Sequence, residues 1–321
     1  MLAVIIVNWN VRDLLRACLA SLQQNKPMTH EQVIIVVDNA SSDGSVEMLR
    51  REFPDVRLVV NATNRGYTGG NNDGLKVADE VLQQALEGKQ VLPLTSYFLV
   101  LNPDTEMTPG TFDAMLAYAD AHADVGVLGP QLRYPDGSLQ SSKRHFPTLA
   151  TTIFESTWLQ KYSPHAVRDR YYARECADDE TCDVDWLVGA ALLVRRETYK
   201  KVGMLDEATF FMYSEEVDWC KRIKAAGWRV VYFPQAVIVH HEAKSSDQVS
   251  TRRLIYFNTS KVRYMTKHHG ALQGNLARVA LLTLFRWEWL IEAVKWVLGH
   301  KRPLRAERMK AYADVMKSGL V

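Results

Sequence analysis

The chain has 321 residues, of which 47% are hydrophobic and 24% are charged, and its formal net charge is +2. This composition is typical of a folded globular protein and excludes a disordered chain. The near-neutral charge gives no argument for nucleic acid as a partner. The length allows one large domain, or a domain of about 250 residues with an appendage.

The N-terminus and the cysteines predict a cytoplasmic protein. Residues 1–8 have no basic lead and become polar after seven positions, which predicts a buried strand and not a signal peptide. The four cysteines show neither a CxxC pair nor metal-finger spacing, so reduced thiols are expected. A disulfide or a metal site at Cys176 and Cys182 is the less favoured alternative.

Short apolar runs alternate with amphipathic segments over the first 130 residues. This alternation predicts βαβ units, and therefore an α/β fold with a mostly parallel sheet flanked by helices. The predicted strands cover residues 4–7, 33–37, 58–60 and 97–101, and the predicted helices cover residues 14–22, 46–49, 75–86 and 112–119.

The pattern becomes mixed after residue 127. A turn at residues 134–137 predicts a hairpin, and a helix is expected from Glu215 to Ala226 because acids begin it and Gly227 follows it. Short strands are expected at residues 184–194, 230–233 and 237–239. Residues 145–182 show no regular pattern and are expected to be mobile or to face an acceptor substrate.

An Asn or Asp follows each of the four N-terminal strands. The residues at these ends are Asn8 with Asn10, Asp38, Asn61 to Asn64, and Asn102 with Asp104. Ligands of parallel sheets bind beyond the carboxyl ends of the strands. The strand ends therefore predict a ligand site.

Asp38 closes the second predicted strand. A carboxylate there can accept the imide N–H of uracil or thymine, which distinguishes these bases from cytosine. Ser42 or Asp43 is expected to cap the following helix. Asp38 lies too early for that task, so a ligand role is favoured.

Residues 61–74 contain four glycines and four asparagines before a predicted helix. Such a loop can turn its N–H groups toward a diphosphate, with the helix N-terminus behind them. It matches neither the dinucleotide-binding nor the P-loop signature. A flexible surface loop is the simpler explanation of this segment taken alone.

Asp104 and His240 are the predicted metal ligands. A carboxylate beside a diphosphate loop is where Mg²⁺ would bridge phosphate groups. His240 would add an imidazole nitrogen, which favours Mn²⁺ somewhat over Mg²⁺. A structural histidine is the common alternative, and His241 beside it makes the assignment ambiguous.

Three acids begin the helix expected at Glu215. First-turn acids complement the helix dipole, and Asp218 is best placed for that structural task. Glu215 or Glu216 is better placed to act as a general base whose pKa is raised by aromatic burial and by neighbouring carboxylates.

The C-terminal segment predicts a long helix over residues 276–298, followed by a basic tail. Its charged residues make a transmembrane span costly, whereas its wide apolar face suits a helix lying in a membrane interface through residues 276–310. Packing on the catalytic domain, or on a second copy in a homodimer, is the alternative. The apolar face comprises Leu282, Phe285, Trp289, Ala293 and Trp296.

These segments together resemble the family 2 glycosyltransferases of the GT-A fold, especially bacterial rhamnosyltransferase-like members. The resemblance covers residues 1 to about 270. It implies a glycosyltransferase domain over 1–270 and a helical extension over 271–321. The matching stretches are residues 4–10, 37–44, 64–67 with 70–72, 101–104, 185–190 and 210–222, then His240 with Ser245, and residues 267–270.

The resemblance implies that a nucleotide-diphosphate sugar is the donor and that Asn8 and Asp38 hold its base. Asp104 resembles the second acid of the family's metal motif, and His240 resembles its later histidine ligand. The wider donor site is expected to include Asn10, Asn64, Arg65, Gly66, Asn71 and Asn102.

Two positions depart from the family pattern. Asn102 replaces a frequent Asp, which leaves the metal site with less negative charge. Glu216 matches the position of the catalytic base, where relatives mostly carry Asp, so Glu215 is kept as the second candidate. Trp186 and Gly189 are expected on the acceptor side.

The predicted function is metal-dependent, inverting sugar transfer to a glycan or lipid-linked acceptor in cell-surface polysaccharide synthesis. The first candidate donor is thymidine-diphosphate rhamnose, and a uridine-diphosphate hexose is the second. A sugar nucleotidyltransferase and a non-catalytic sugar-nucleotide-binding or scaffold protein are the alternatives. The expected location is the cytoplasm, where the C-terminal helix would allow peripheral contact with the inner face of the membrane.

Overall fold

The computed structural model describes residues 1–87, 95–155, 157–241 and 250–321. They form two compact units. The sheet unit comprises Met1–Phe146, Tyr172–Glu207 and the described part of Glu215–Ser245, and the helical unit comprises Pro147–Tyr171, Ala208–Ser214 and the described part of Ser246–Val321. This division differs from the predicted boundary at residue 270. Ser245, part of the resemblance, lies outside the described residues.

The predicted strands and helices occur in the predicted order, with further elements between and after them. The strands are β1 (Leu2–Asn8), β2 (Gln32–Asp38), β3 (Arg57–Val60), β4 (Tyr97–Leu101), β5 (Thr105–Met107), β6 (Val125–Arg133), β7 (Leu139–Gln140), β8 (Lys143–Arg144), β9 (Cys182–Asp183), β10 (Trp186–Leu187), β11 (Ala191–Arg195) and β12 (Arg229–His240). The helices are α1 (Arg12–Gln24), α2 (Ser45–Glu52), α3 (Gly66–Glu87), α4 (Thr111–Ala121), α5 (Leu149–Phe154), α6 (His165–Tyr171), α7 (Arg196–Val202), α8 (Glu215–Ala225), α9 (Ser250–His269), α10 (Ala271–Val297) and α11 (Arg302–Ser318).

Ten of the strands in the described ranges form one sheet, in the order β3-β2-β1-β4-β11-β6-β12-β5, with β7 beside β6 and β9 beside β12. β1 pairs in parallel with both β2 and β4, and β2 pairs in parallel with β3. β11 is antiparallel to β4 and β6, so the predicted mostly parallel α/β sheet is confirmed and its second half is mixed. The predicted hairpin is confirmed as the antiparallel pair β6 and β7.

Every residue of β1 is buried because helices cover both faces of the strand. On one face, Leu2, Val4 and Ile6 belong to a core shared with α1. On the other face, α3 lies so close that a Cβ on Gly74 would be 2.4 Å from Ile5 Cγ2. A Cβ on Gly70 would likewise be 2.7 Å from Val7 Cγ1.

The glycine-rich segment was predicted to be a loop up to residue 74, and that prediction is wrong. α3 already begins at Gly66, so most of these glycines and asparagines are helical. Two of the glycines allow the helix backbone to approach the sheet, a requirement that a periodicity argument does not include. Only residues 61–65 connect β3 to the helix.

Two further expectations are corrected. Cys176 and Cys182 form a disulfide, whereas Cys18 and Cys220 are free and buried. The disulfide joins Cys182, the first residue of β9, to Cys176 six residues earlier, and the Cα atoms are 6.4 Å apart. Residues 145–182 are more regular than predicted, since they contain α5, α6 and a 3-10 helix at Trp158–Tyr162.

The helical unit packs α10 against α9 and α11. Its core includes Val262, Leu281, Phe285, Val315 and Leu320. Phe285 is therefore buried inside the unit, although the sequence placed it on a membrane-facing side. Among the described helices, none has the length and apolarity needed to cross a membrane.

Candidate active site

The first corner of the site joins the ends of β1 and β2. Asn8 and Asp38 are paired in register, and neither side chain is exposed. Asn8 Nδ2 donates to Asp38 Oδ2 at 2.9 Å and to Ser41 Oγ at 3.1 Å, while the Ser41 N–H donates to Asp38 Oδ1 at 2.9 Å. Each carboxylate oxygen keeps a further lone pair that can accept from a ligand. The two strand ends therefore hold the Asp38 carboxylate in one orientation, as a hydrogen-bond acceptor for a ligand.

The turn after this corner is held by side-chain hydrogen bonds. Asn10 has a φ of 54°, and its Oδ1 accepts from the Ser42 N–H at 2.7 Å. Asp43 Oδ1 accepts from the N–H of Ser45, the first residue of α2, at 3.1 Å. The predicted cap at Ser42 or Asp43 is wrong, because Gly44 occupies the cap position, and Asp43 contacts the first turn from one residue earlier.

The start of α3 lies at the end of β2. Asn39 is buried and joins the two elements, because its Nδ2 donates to the Gly66 carbonyl at 2.8 Å. Asn64 Oδ1 accepts from the Gly66 N–H at 2.8 Å and so satisfies one donor of the first turn. A helix N-terminus in this position favours an anion.

Arg65 and Asn71 are both engaged within the protein. Arg65 forms ion pairs with Asp73 and with Glu207. Asn71 is buried on α3, and its Nδ2 donates to the Tyr67 carbonyl at 2.9 Å. Asn71 Oδ1 is buried without a hydrogen-bond partner among the described residues, and it is therefore an acceptor that a ligand could satisfy.

Asp104 and His240 form the second corner. Both are buried, and His240 Nε2 lies 3.3 Å from Asp104 Oδ1. β12 brings the histidine there because it pairs with β5, where His240 is opposite Thr105. The neighbouring His241 bonds Glu106 instead, at 2.7 Å, which resolves the ambiguity between the two histidines.

Gln140 orients His240. Its Oε1 lies 2.8 Å from His240 Nδ1, so Nδ1 carries the proton and donates it. Nε2 faces Asp104, and Asn102 Nδ2 is 3.4 Å away from it. A hydrogen bond of this kind at the other ring nitrogen fixes the tautomer of a metal-binding histidine.

These residues fit a divalent cation. Two ligand atoms at about 2.1 Å from one cation and at right angles to each other lie about 3 Å apart. The separation of Asp104 Oδ1 from His240 Nε2 is close to that value. Asn102 Oδ1 is buried beside them without a partner in the described ranges, so it is a further oxygen that a cation or its water could satisfy.

Glu215 and Glu216 begin α8, directly after two residues with positive φ, Tyr213 and Ser214. Glu215 is buried, and Glu216 is half-buried. A Cβ on Gly189 would lie 3.6 Å from Glu216 Cβ and 3.4 Å from the Tyr67 hydroxyl. The glycine therefore lies directly beside the candidate base.

Charge and burial treat the two glutamates differently. Burial, and then the charge of Glu216, raises the pKa of Glu215 well above its ordinary value. Burial, Glu215 and Glu216 likewise raise the pKa of Tyr67, whose hydroxyl donates to the Gly189 carbonyl at 2.6 Å. Burial thus favours the neutral form of Glu215, whereas the half-buried Glu216 remains the candidate base.

Tyr67 also connects the base to the second corner, because the charge of Asp104 contributes to its raised pKa. The Asn102 N–H donates to the Ala190 carbonyl at 2.9 Å, next to Gly189. The strand ends, the Asp104–His240 pair and the glutamates therefore lie at one edge of the sheet.

Other singled-out residues have structural roles. Asp218 accepts from Arg222 Nε at 2.8 Å, as expected for a first-turn acid with a stabilising task. Trp186 is buried, and its Nε1 donates to the His145 carbonyl at 2.9 Å. Gln140, Tyr67 and Asn39 had no predicted role, although Tyr67 and Asn39 lie inside stretches that carry the family resemblance.

The model of the family described as glycosyl transferase family 2 matches residues 3–203. The chain belongs to glycosyl transferase family 2. The match spans the sheet from β1 through β11, and it includes the ends of the N-terminal strands and Gly189. A family 2 enzyme transfers a sugar, so the chain is a glycosyltransferase.

Two relatives of this family 2 enzyme are rhamnosyltransferases. One is the N-acetylglucosaminyl-diphospho-decaprenol L-rhamnosyltransferase of Mycobacterium tuberculosis, 32% identical over 266 residues, which are 80% of this chain and 83% of the relative. Another is rhamnosyltransferase WbbL of Escherichia coli, 24% identical over 87% of this chain and 98% of the relative.

The fold is also that of solved glycosyltransferases. A mannosyltransferase from Pyrobaculum calidifontis, in complex with GDP-Man and Mn²⁺, aligns with 99% of this chain and 86% of its own. The TM-score is 0.53 and the identity is 16%. The GT-A fold expected from the sequence is confirmed.

The burial of Glu215 predicts how the stability of this family 2 enzyme depends on pH. The pKa of Glu215 is raised in the folded state, so ionising this side chain costs more in the folded protein than in the unfolded chain. The free energy of unfolding therefore falls as the pH rises above about 4.5, the value in the unfolded chain. Glu215→Gln replaces the carboxyl group with an uncharged amide of nearly the same shape. We expect this variant to unfold at higher urea concentration than the wild type at pH 8, and the difference to vanish toward pH 4.

The matched control is Glu216→Gln, the same change one residue later, where a smaller pH-dependent difference is expected. Urea unfolding of all three proteins at pH 4, 6 and 8 measures the effect. Equal midpoints for Glu215→Gln and the wild type at pH 8 would show that Glu215 is ionised in the folded enzyme.

Proposed function

We propose that this glycosyltransferase transfers L-rhamnose from thymidine-diphosphate rhamnose to a lipid-linked glycan acceptor, with inversion and with Mg²⁺ or Mn²⁺. The observation that carries the catalytic part is the position of Asp104, His240 and Glu216 at one edge of the sheet. The rhamnosyltransferase names of two relatives support the donor. The reaction belongs to glycan synthesis, and a lipid-linked acceptor implies work at the inner face of the membrane.

Asp38 and Asn8 support a pyrimidine nucleotide. A carboxylate that is fixed by Asn8 and by the Ser41 N–H can accept the imide N–H of thymine or uracil. A uridine-diphosphate hexose is accordingly the second candidate donor. The first turn of α3, with Asn64, Arg65 and Gly66, lies next to this corner and is suited to the diphosphate.

Asp104 and His240 would hold the metal, and Gln140 would keep the imidazole nitrogen available to it. When bound, a divalent cation neutralises charge on the departing nucleoside diphosphate. Asn102 contributes an amide where relatives often have a carboxylate. Among the described residues proposed to bind the metal, Asp104 therefore supplies the one formal negative charge.

Glu216 would accept the proton of the acceptor hydroxyl as that oxygen attacks the anomeric carbon. The new carbon–oxygen bond forms on the face opposite to the nucleotide, and the bond to the diphosphate oxygen breaks. The electron pair leaves with the nucleoside diphosphate, so the product is inverted and no covalent enzyme intermediate forms. Gly189, the residue proposed for the acceptor side, lies beside Glu216, since a Cβ there would be 3.6 Å from Glu216 Cβ.

The decisive experiment is a donor panel with purified enzyme, Mg²⁺ or Mn²⁺, and a short polyprenyl-diphosphate N-acetylglucosamine acceptor. We expect acceptor-dependent release of thymidine diphosphate from thymidine-diphosphate rhamnose, and slower release from uridine-diphosphate hexoses. Release of pyrophosphate would indicate a nucleotidyltransferase. Donor binding without turnover, by thermal shift, would indicate a non-catalytic protein.

Glu216→Gln tests the base. We expect kcat to fall by ~10²–10⁴, the usual contribution of general-base assistance, while the donor still raises the melting temperature. Glu215→Gln is the matched control and should lower kcat by less than tenfold, because burial favours the neutral form of Glu215, which Gln resembles in shape. If Glu215→Gln carries the large loss and Glu216→Gln does not, the two roles are reversed.

Gln140→Leu tests the metal site through the histidine. Loss of the hydrogen bond to Nδ1 should weaken Mn²⁺ binding by about 10–100-fold, the usual effect of removing the hydrogen-bond partner of a metal-binding histidine. Calorimetric titration with Mn²⁺ in the presence of thymidine diphosphate measures it. Gln140→Glu, which still accepts from Nδ1, should bind Mn²⁺ at least as tightly as the wild type. Unchanged affinity in Gln140→Leu would contradict a metal role for His240.

A further inference from the structure

α10 has an apolar face that points away from the helical unit. Its side chains repeat at intervals of three or four residues, which places them along one side of a helix. Thr283, which is also exposed, fills the single gap in the series. This outward face comprises Leu272, Leu276, Val279, Trp287, Leu290, Val294 and Val297.

The outward face is not the one that the sequence pattern favoured. Leu281 and Phe285 lie on the opposite side of α10 and are buried against α9 and α11. The exposure of the outward face is high, at 73% for Leu272 and 67% for Val297. Large apolar side chains exposed in one continuous row indicate an interaction surface.

The charges around this face are positive. Both acids of α10 are turned inward, since Glu292 is buried and bonded to Arg305, and Glu288 is half-buried. Exposed basic side chains lie at the edge of the outward face and beyond the C-terminal end of α10, where Glu307 is an exposed acid. These basic residues are Arg286, Lys301, Arg302 and Lys310, whereas Arg308 lies 3.7 Å from the inward-turned Glu292.

An aromatic and a cationic side chain are combined where α10 ends. The guanidinium of Arg302 lies 5.3 Å from the ring centroid of Trp296, and its Nε donates to the Trp296 carbonyl at 3.0 Å. Trp296 is 41% exposed, and Trp287 lies on the outward face itself. Tryptophan beside arginine is the composition found at the level of lipid headgroups.

We propose that the outward face of α10 binds the surface of an anionic lipid bilayer, with the helix lying in the plane of the interface. Apolar side chains would enter the headgroup boundary, and the basic residues would contact anionic headgroups. A second copy of the chain fits less well. Two-fold pairing of this face would bury Arg286 in an apolar seam that contains no carboxylate.

The proposal does not depend on the sugar donor, so its test needs no substrate. The full chain is mixed with vesicles of phosphatidylcholine alone or with 30% phosphatidylglycerol, and floated on a density gradient. We expect binding to the anionic vesicles that falls at least fivefold between 50 mM and 500 mM salt, and little binding to phosphatidylcholine alone.

The double variant Leu276→Glu, Leu290→Glu places two acids on the outward face and should lower vesicle binding at least tenfold. Met28→Glu with Tyr162→Glu is the matched control, because Met28 and Tyr162 are also exposed and apolar but lie elsewhere. The control should bind as the wild type does. Circular dichroism confirms that each variant is folded.

Two outcomes would overturn the proposal. One is vesicle binding by the Leu276 and Leu290 variant that equals the wild type. The other is a wild type that does not float with anionic vesicles. If sedimentation then shows a dimer that this variant dissociates, the outward face joins two copies of the chain.

Discussion

The parallel register of β1 with β2 and β4 determines which side chains meet at the sheet edge that carries the candidate active site. It pairs Asn8 with Asp38 and Ile6 with Leu101, so that Asn102 follows β4 within one residue of the level of Asn8. Side chains alternate between the faces of a strand, and a slip of one residue would turn Asn8 away from Asp38. The hydrogen bond between these two buried side chains depends on that register.

The strands β11 and β12 run back to this edge of the sheet and add further residues to the candidate site. β11 runs back along β4 and brings Gly189 and Ala190 next to Asn102. β12 pairs with β5 and brings His240 to Asp104. The parallel half of the sheet is thus suited to the donor, and the mixed half contributes the residues proposed for metal binding and proton transfer.

Much of this arrangement could be predicted from the sequence. Buried parallel strands give continuous apolar runs, and the Asn or Asp after each run predicted where ligands would bind.

Three features could not be predicted in this way. The closeness of α3 to β1 depends on the missing Cβ of Gly70 and Gly74, and hydrophobic periodicity does not report that distance. Gln140 reaches His240 across 100 residues of sequence, and a single chain carries no signal for such a pair. The outward face of α10 is defined only once α9 and α11 cover the other side.

The charge of the proposed metal site makes the binding of the metal and the binding of the donor depend on each other. The described residues contain no group of three or more His, Cys, Asp or Glu side chains that could hold a cation. As proposed ligands, Asp104 would supply one negative charge and a neutral imidazole none, which would leave a divalent cation with excess positive charge in a buried position. The diphosphate of the proposed donor would carry the missing charge. Because coupling between two ligands is reciprocal, the donor would tighten metal binding by the factor by which the metal tightens donor binding. An Asp in place of Asn102 would weaken that coupling, since the protein would then neutralise the cation without the donor.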